Sequence, residues 1–201
     1  MLKFLLLNGP PKSGKDTIVK ELTQYVKFNH IKFSMPIKRM VAALMDIRES
    51  DLENFKDIQS PVLQPRNTTL KEVRDTPRNL LIALSEDFLK PKYGDDFFGR
   101  IFWQHAKGSA HNLIVSSDCG FEAEVERVIS NAGAHNCRLV RLHRDGTSFD
   151  GDSRSYLRDG LCRTFDVPNN GTIHEVTMFV LRILVREFQE PLLKEPTWVK
   201  E

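Results

Sequence analysis

Residues Leu5 to Leu22 read LLLNGPPKSGKDTIVKEL: an apolar run of strand length, a turn rich in glycine and lysine, then Ile18, Val19 and Leu22 at helical spacing. Gly9, Gly14 and Lys15 match the spacing G-x-x-x-x-G-K of a phosphate-binding loop. That pattern continues with Ser or Thr, whereas here Asp16 follows the lysine and the hydroxyl arrives one residue later, at Thr17. A strand feeding such a turn at a helix start converges backbone N–H groups on phosphate oxygens, with the positive end of the helix dipole behind them. The glycines permit close approach. Lys15 supplies a mobile cation for β and γ phosphates, Lys12 can add a second, and Ser13 lies in the same cradle. A plain glycine turn with surface lysines is the competing use of such a stretch, and the strand before and helix after weigh against it.

The rest of the chain is consistent with an enzyme of one domain. At 201 residues it can bury a sizeable core. A formal charge of +2 advertises neither an obligate nucleic-acid binder nor a membrane binder. The apolar start LKFLLL is too short for a transmembrane helix and lacks a cleavage-site pattern, so it reads as a buried strand. Cys119, Cys137 and Cys162 are odd in number and show no C-x-x-C spacing, which excludes a disulfide framework and a structural zinc site. Cytoplasm is the compartment such cysteines suit.

Strand-length apolar runs alternate with helical periods, the pattern of an α/β fold with a parallel sheet covered by helices. KFLLLN, HIKFS, NLIVSSD, NCRLVRLH and CRTFDVP supply five strands. Between them the spacing predicts helices over about 16–27, from Met35 (Ile37, Met40, Val41 and Leu44 on one face), and from Thr76. Thr76 is the expected N-cap, Pro77 lies in the first turn, and Leu80, Leu81, Leu84 and Phe88 make the stripe. Further helices follow around Phe97–His105, over FEAEVERVISNAG with Gly133 closing it, and over TIHEVTMFVLRILVREF. From Asp46 to Asn67 the periodicity fades, and an irregular excursion is expected. The aromatics of DDFFGRIFW read as core before they read as a base-stacking platform.

Asp118 ends the third apolar run. A carboxylate outside the carboxyl end of a parallel strand sits where ligands bind in open α/β sheets, and can orient a hydrated Mg²⁺. Its alternative use is as an N-cap for the next helix. Asp16 is the second candidate for the metal, directly or through water, at the cost of repulsion from phosphate. Arg144, Arg154 and Arg158 lie in a glycine-rich loop over 144–160 that can close on a transferring phosphoryl group. Arg66, Arg74 and Arg78 lie where a second phosphorylated substrate would need cations, with solvated helix surface as their alternative. The histidines show no metal-ligand spacing and carry no assigned chemistry.

NGPPKSGKDT, FSMPIKRM, RNLLIALSEDF, LIVSSD, VRLHRDG and VPNNGT, in that order, resemble the deoxynucleoside monophosphate kinases of bacteriophages. More distantly they are similar to animal-type phosphomevalonate kinases. The resemblance covers nearly the whole chain. It implies a P-loop kinase fold with a five-stranded parallel sheet, an acceptor-binding insert at about 35–108 and a lid at about 144–160. It implies transfer of the γ-phosphoryl group of ATP to a deoxynucleoside monophosphate with Mg²⁺, in the host cytoplasm if the gene is a phage's. Carried onto matching residues, Lys15 and the Gly9 to Thr17 backbone would hold ATP phosphates, and Pro36, Ile37 and Lys38 would border the acceptor. Arg78 would bind its phosphate, Asp118 would lie beside the metal, Arg144 would act from the lid, and Asn169 would lie near the adenine.

Two departures concern the acceptor. Family members carry an arginine two residues after the strand-end aspartate, where this chain has Gly120, and Ile82 and Ser85 replace a glutamine and a glycine. Two other readings therefore stand beside the first. One is a kinase for the hydroxymethyl group of a 5-hydroxymethylpyrimidine, in a nucleotide or in modified DNA. The other is a nucleotide-binding module with reduced catalysis. A small-molecule nucleotide is the expected partner, no membrane is, and a homodimer is compatible with the sequence.

Overall fold

The computed structural model describes residues 1–58, 60, 63, 76–194 and 196. Arg66 and Arg74 lie outside these residues. The chain divides into two compact units, one of residues 1–33 and 99–201, the other of residues 34–98.

The first unit is built on five parallel strands in the order β2-β3-β1-β4-β5: β1 (Lys3–Asn8), β2 (Asn29–His30), β3 (Leu113–Cys119), β4 (Cys137–His143) and β5 (Arg163–Pro168). β1 is central, hydrogen-bonded to β3 and β4, with Leu5 opposite Val115 on one side and Arg138 on the other. A strand covered on both faces must be apolar at every position, which is why FLLL is uninterrupted and fully buried. Its alternation still sorts the faces. Leu5 and Leu7 join Ile18, Val19 and Leu22 of α1 (Lys15–Leu22) and Val180, Leu181 and Leu184 of α8 (Ile173–Phe188) in one core. On the other face Phe4 meets Phe102 and Trp103 of α6 (Phe97–Lys107), and Phe102 stacks on Phe33 at 4.1 Å.

Gly99 lets α6 approach α7 (Glu122–Ala132): a Cβ there would lie 2.5 Å from the Glu124 carbonyl oxygen. Thr172 opens α8 with a reciprocal capping box, its side chain accepting from Glu175 N while Glu175 accepts from Thr172 N. Gly133 closes α7 at a φ of 85°, in the left-handed region that favours glycine. The second strand is shorter than HIKFS suggested: Asn29 and His30 pair with β3, and the chain then turns at 33–34.

The second unit holds α2 (Met35–Leu44), α3 (Glu49–Phe55), α4 (Pro77–Ile82), a π-helical stretch over Ala83–Leu89 and α5 (Lys90–Tyr93). Pro36 stands in the first turn of α2. Thr76 caps α4 by accepting from Asn79 N, as its position predicts. Three expectations are corrected here. The stretch after Asp46 is not all irregular, because α3 forms, burying Leu52 alone of its side chains. One apolar anchor leaves no period to read. On α2 the buried side is Ile37, Val41 and Ala42, while Met40 and Leu44 are exposed, so the apolar stripe is rotated toward Ala42. In the π-helical stretch the wider turn advances the buried face by one residue. Leu89 packs with Leu81 and Leu84, and Phe88, expected on the stripe, is half exposed.

Candidate phosphoryl-transfer site

The site begins where β1 ends. Gly9 approaches the neighbouring strand so closely that a Cβ would lie 2.9 Å from both the Leu142 carbonyl oxygen and Ser13 Oγ. Gly14 has a φ of 91°, and a Cβ on it would meet Asn169 Nδ2 at 2.9 Å. The loop is therefore shaped by backbone, and its glycines are steric requirements. Ser13 is fully buried, and Lys15, the first residue of α1, is 8% exposed. The Lys15 ammonium donates to the carbonyls of Gly9 (2.6 Å) and Pro10 (2.7 Å) and to Ser13 Oγ (3.1 Å). Burial first, and then the positive charge of Arg154, lower its pKa from 10.5 to about 8, against the opposing pull of Asp16 and Asp118.

Residues from two further segments reach this loop. Arg144, just past β4, donates from Nη1 to the Lys12 carbonyl at 3.3 Å. Asn169, past β5 and buried, donates from Nδ2 to the Ser13 carbonyl. The two exits are tied together, Asn169 N donating to the His143 carbonyl (2.7 Å) and Asp145 N to Asn170 Oδ1 (2.9 Å). Arg144 and Asn169, selected from sequence, thus converge on the loop that Lys15 closes.

Asp118 Oδ1 accepts from Phe33 N and from Ser116 Oγ, both at 3.0 Å. The helix after it starts at an N-cap of Phe121 with no side-chain cap, so Asp118 does not serve as one. Asp16 Oδ1 accepts from Ser117 Oγ at 2.5 Å and pairs with Lys32 Nζ at 2.6 Å, while His30 Nε2 lies 2.9 Å from that same serine hydroxyl. Burial raises the Asp16 pKa, but Lys32 and Ser117 outweigh it and hold the carboxyl below its usual range. Burial and the Lys32 charge keep His30 below its ordinary value. Thr17 is exposed on the first turn of α1. The carboxylate and hydroxyl oxygens here are hard donors of the kind Mg²⁺ takes, the remaining positions falling to substrate phosphate and water. A cluster of three or more metal-ligating side chains is absent among the described residues.

The other expected arginines divide. Arg154 lies against the Cα of Gly120, its fork on Asp152. Arg158 donates to Glu122 (3.1 Å) and Glu126 (2.7 Å), on the exposed side of α7. In the second unit, Arg78 is ion-paired with Asp57, its Nη2 at 3.3 Å, and Lys38 is paired with Glu53. Sequence reading missed Asn8, Lys32, Ser116, Ser117 and His30. Asn8 left a signal, a lone amide ending an apolar run. Ser116 and Ser117 close an apolar run and His30 and Lys32 alternate with Ile31 and Phe33, so each reads as part of a strand and not as a partner of Asp16 or Asp118.

An all-parallel sheet with β1 central, its glycine turn leading into α1 and its candidate side chains at the carboxyl ends of β1, β3, β4 and β5, is a P-loop α/β fold. No protein-family model matches the sequence, and no curated protein matches it. Among solved structures the chain is similar to a gluconokinase from Sinorhizobium meliloti 1021, at 14% identity and a TM-score of 0.42 over 92% of each chain. It is similar to a dephospho-CoA kinase from Campylobacter jejuni, at 12% identity and a TM-score of 0.45 over 92% of this chain and 98% of that one. A thymidylate kinase from Candida albicans matches at 13% identity and a TM-score of 0.46 over 96% of each.

Proposed function

We propose that the chain is an ATP-dependent phosphotransferase that moves a γ-phosphoryl group to a deoxynucleoside monophosphate. The observation that carries the donor half is the convergence of Lys15, Arg144 and Asn169 on the Gly9–Thr17 loop. Catalysis is positioning and electrostatics: the loop N–H groups and Lys15 hold the phosphate chain, and Arg144 offsets charge on the transferring group. Mg²⁺, held by Asp118 with Asp16 and Thr17 nearby, would neutralise the β and γ oxygens. Asn169 holds the loop backbone from the side where the nucleoside would emerge. On the acceptor side, Pro36, Lys38 and Arg78, with Arg74, are the candidates for contact with the monophosphate, and Arg158 is a weaker one because α7 carboxylates already engage it.

One observation favours a hydroxyl acceptor as a second reading. A hydroxyl must lose its proton on transfer, a phosphate oxygen need not, and the hydrogen-bonded row Asp16, Ser117, His30 would be the route for it. The experiment is incubation with γ-labelled ATP, Mg²⁺ and a panel of deoxynucleoside monophosphates, 5-hydroxymethyl-dUMP and hydroxymethyluracil-containing DNA. Label on a monophosphate's phosphate supports the first reading. Label on a hydroxymethyl group, free or in polymer, replaces it with the second, and label on none overturns both.

A further inference from the structure

Residue 120 follows β3 directly, and the space above it is taken. A Cβ on Gly120 would lie 2.7 Å from Arg154 Cβ, 2.7 Å from Cγ and 2.8 Å from Cδ. These are clashes with the stem of a side chain, not its mobile tip, so any other residue at 120 displaces Arg154. The backbone beneath the stem is fixed as well. Ser155 N donates to the Gly120 carbonyl at 3.3 Å. Asn8, fully buried at the end of β1, donates to the carbonyls of Cys119 and Ser155 and accepts from Leu157 N, each at 3.0 Å. Leu157 is itself fully buried. The second half of the 144–160 segment is therefore stitched to the ends of β1 and β3.

The guanidinium is held too. Asp152 receives Arg154 Nε on one oxygen at 2.8 Å and Nη2 on the other at 2.6 Å, a planar fork, and also accepts the Arg154 backbone N–H at 2.9 Å. Arg154 is about one quarter exposed and Asp152 one tenth. A cation so anchored loses little freedom when an anion arrives. Gly120 stands two residues past Asp118, and Asn8, which holds Ser155 and Leu157 just beyond Arg154, directly precedes Gly9 of the loop.

We infer that Arg154 is a permanently docked phosphate-binding cation of this site, delivered across Gly120 and aimed by Asp152, needing no closure of the 144–160 segment. It rests on the reading that the Gly9–Thr17 loop binds nucleotide phosphates. Arg154 keeps its proton throughout; it contributes charge to the phosphoryl oxygens while the bond to the leaving oxygen breaks and that to the acceptor forms. Gly120 and Asp152 are positioning residues.

The test is the affinity of the full chain, with Mg²⁺, for fluorescent ATP and ADP analogues, alongside thermal unfolding. Arg154→Met keeps the stem over Gly120 and removes the charge. It is expected to stay folded, at some cost in stability because the Asp152 carboxylate loses the Arg154 fork, and to lose about tenfold in ATP affinity, and less for ADP. Asp152→Asn is expected to lose part of the same preference, and the double variant no more than Arg154→Met alone, because the aspartate acts through the arginine. Gly120→Ala is expected to match Arg154→Met in binding. An unchanged ATP-to-ADP ratio in Arg154→Met, with the parent binding both, overturns the inference and leaves the donor-site reading standing. A parent that binds neither nucleotide overturns both.

Discussion

Lys15 and Arg144 of the first unit and Arg78 and Lys38 of the second are held in opposite ways. Around the Gly9–Thr17 loop they lean on uncharged backbone: Lys15 on two carbonyls, Arg144 on the Lys12 carbonyl. Neutral partners leave a cation's charge unspent. In the second unit Arg78 faces Asp57, and Lys38 and Lys56 share Glu53. On the proposed reading, an acceptor anion there would compete with a carboxylate already in place, whereas a donor phosphate would replace carbonyls at Lys15 and Arg144 and share Arg154 with Asp152. The proposed donor half would thus be prepared for anion at Lys15 and Arg144, and the proposed acceptor half would exchange partners to receive one.

The contrast can be broken at its strongest point first. Lys15→Met is expected to lower phosphoryl transfer on the order of 10³-fold, measured as kcat/KM with labelled ATP. A loss under tenfold would remove the donor half of the comparison. Next is the scaffold: Asn8→Ala removes the partner of one buried carbonyl, one part-buried carbonyl and one buried N–H, which costs about 2 kcal/mol in urea unfolding. On the acceptor side, Arg78→Ala is expected to raise the acceptor KM about tenfold with kcat little changed. Asp57→Asn, which releases Arg78, is expected to lower that KM, and no change in either variant would take Arg78 out of the site.

The smallest effect is a pH dependence confined to the second unit. Burial raises the Glu53 pKa, but Lys38 and Lys56 overcome it and bring it from 4.5 to about 2. A carboxyl depressed by folding contributes stability above pH 4.5 and loses it as pH falls from there toward 2. Glu53→Gln is expected to flatten the decline in the urea midpoint between pH 5 and 3 (about 2 pH units around the ordinary glutamate value). Because Glu53 is well exposed, the change is modest.

Legibility followed burial and period. β1 was readable because a central parallel strand has no polar face, and Thr76 and Gly133 because caps are local chemistry. α3 was not, since one buried leucine makes no repeat, and Phe88 was misplaced because a π-helical turn breaks the 3.6-residue count without any mark in composition. Within the site, residues on the loop or just past a strand were found from spacing. Lys32, Ser117 and His30 were missed because what joins them to Asp16 is adjacency of β2, β3 and α1, and adjacency leaves no trace along the chain.

Taken alone, the sequence determined the strand, the turn and the lysine, because a phosphate-binding loop is made by the backbone of nine consecutive residues from Gly9 to Thr17. It also put Gly120 where the phage kinases it resembles carry an arginine. Only the tertiary structure decided what stands there: the stem of Arg154, brought from thirty-four positions away by the hydrogen bonds of a buried asparagine. A local motif can be read because its parts are neighbours in the chain. A charge carried across a sheet edge is set by packing, and packing is known only once the strands have met.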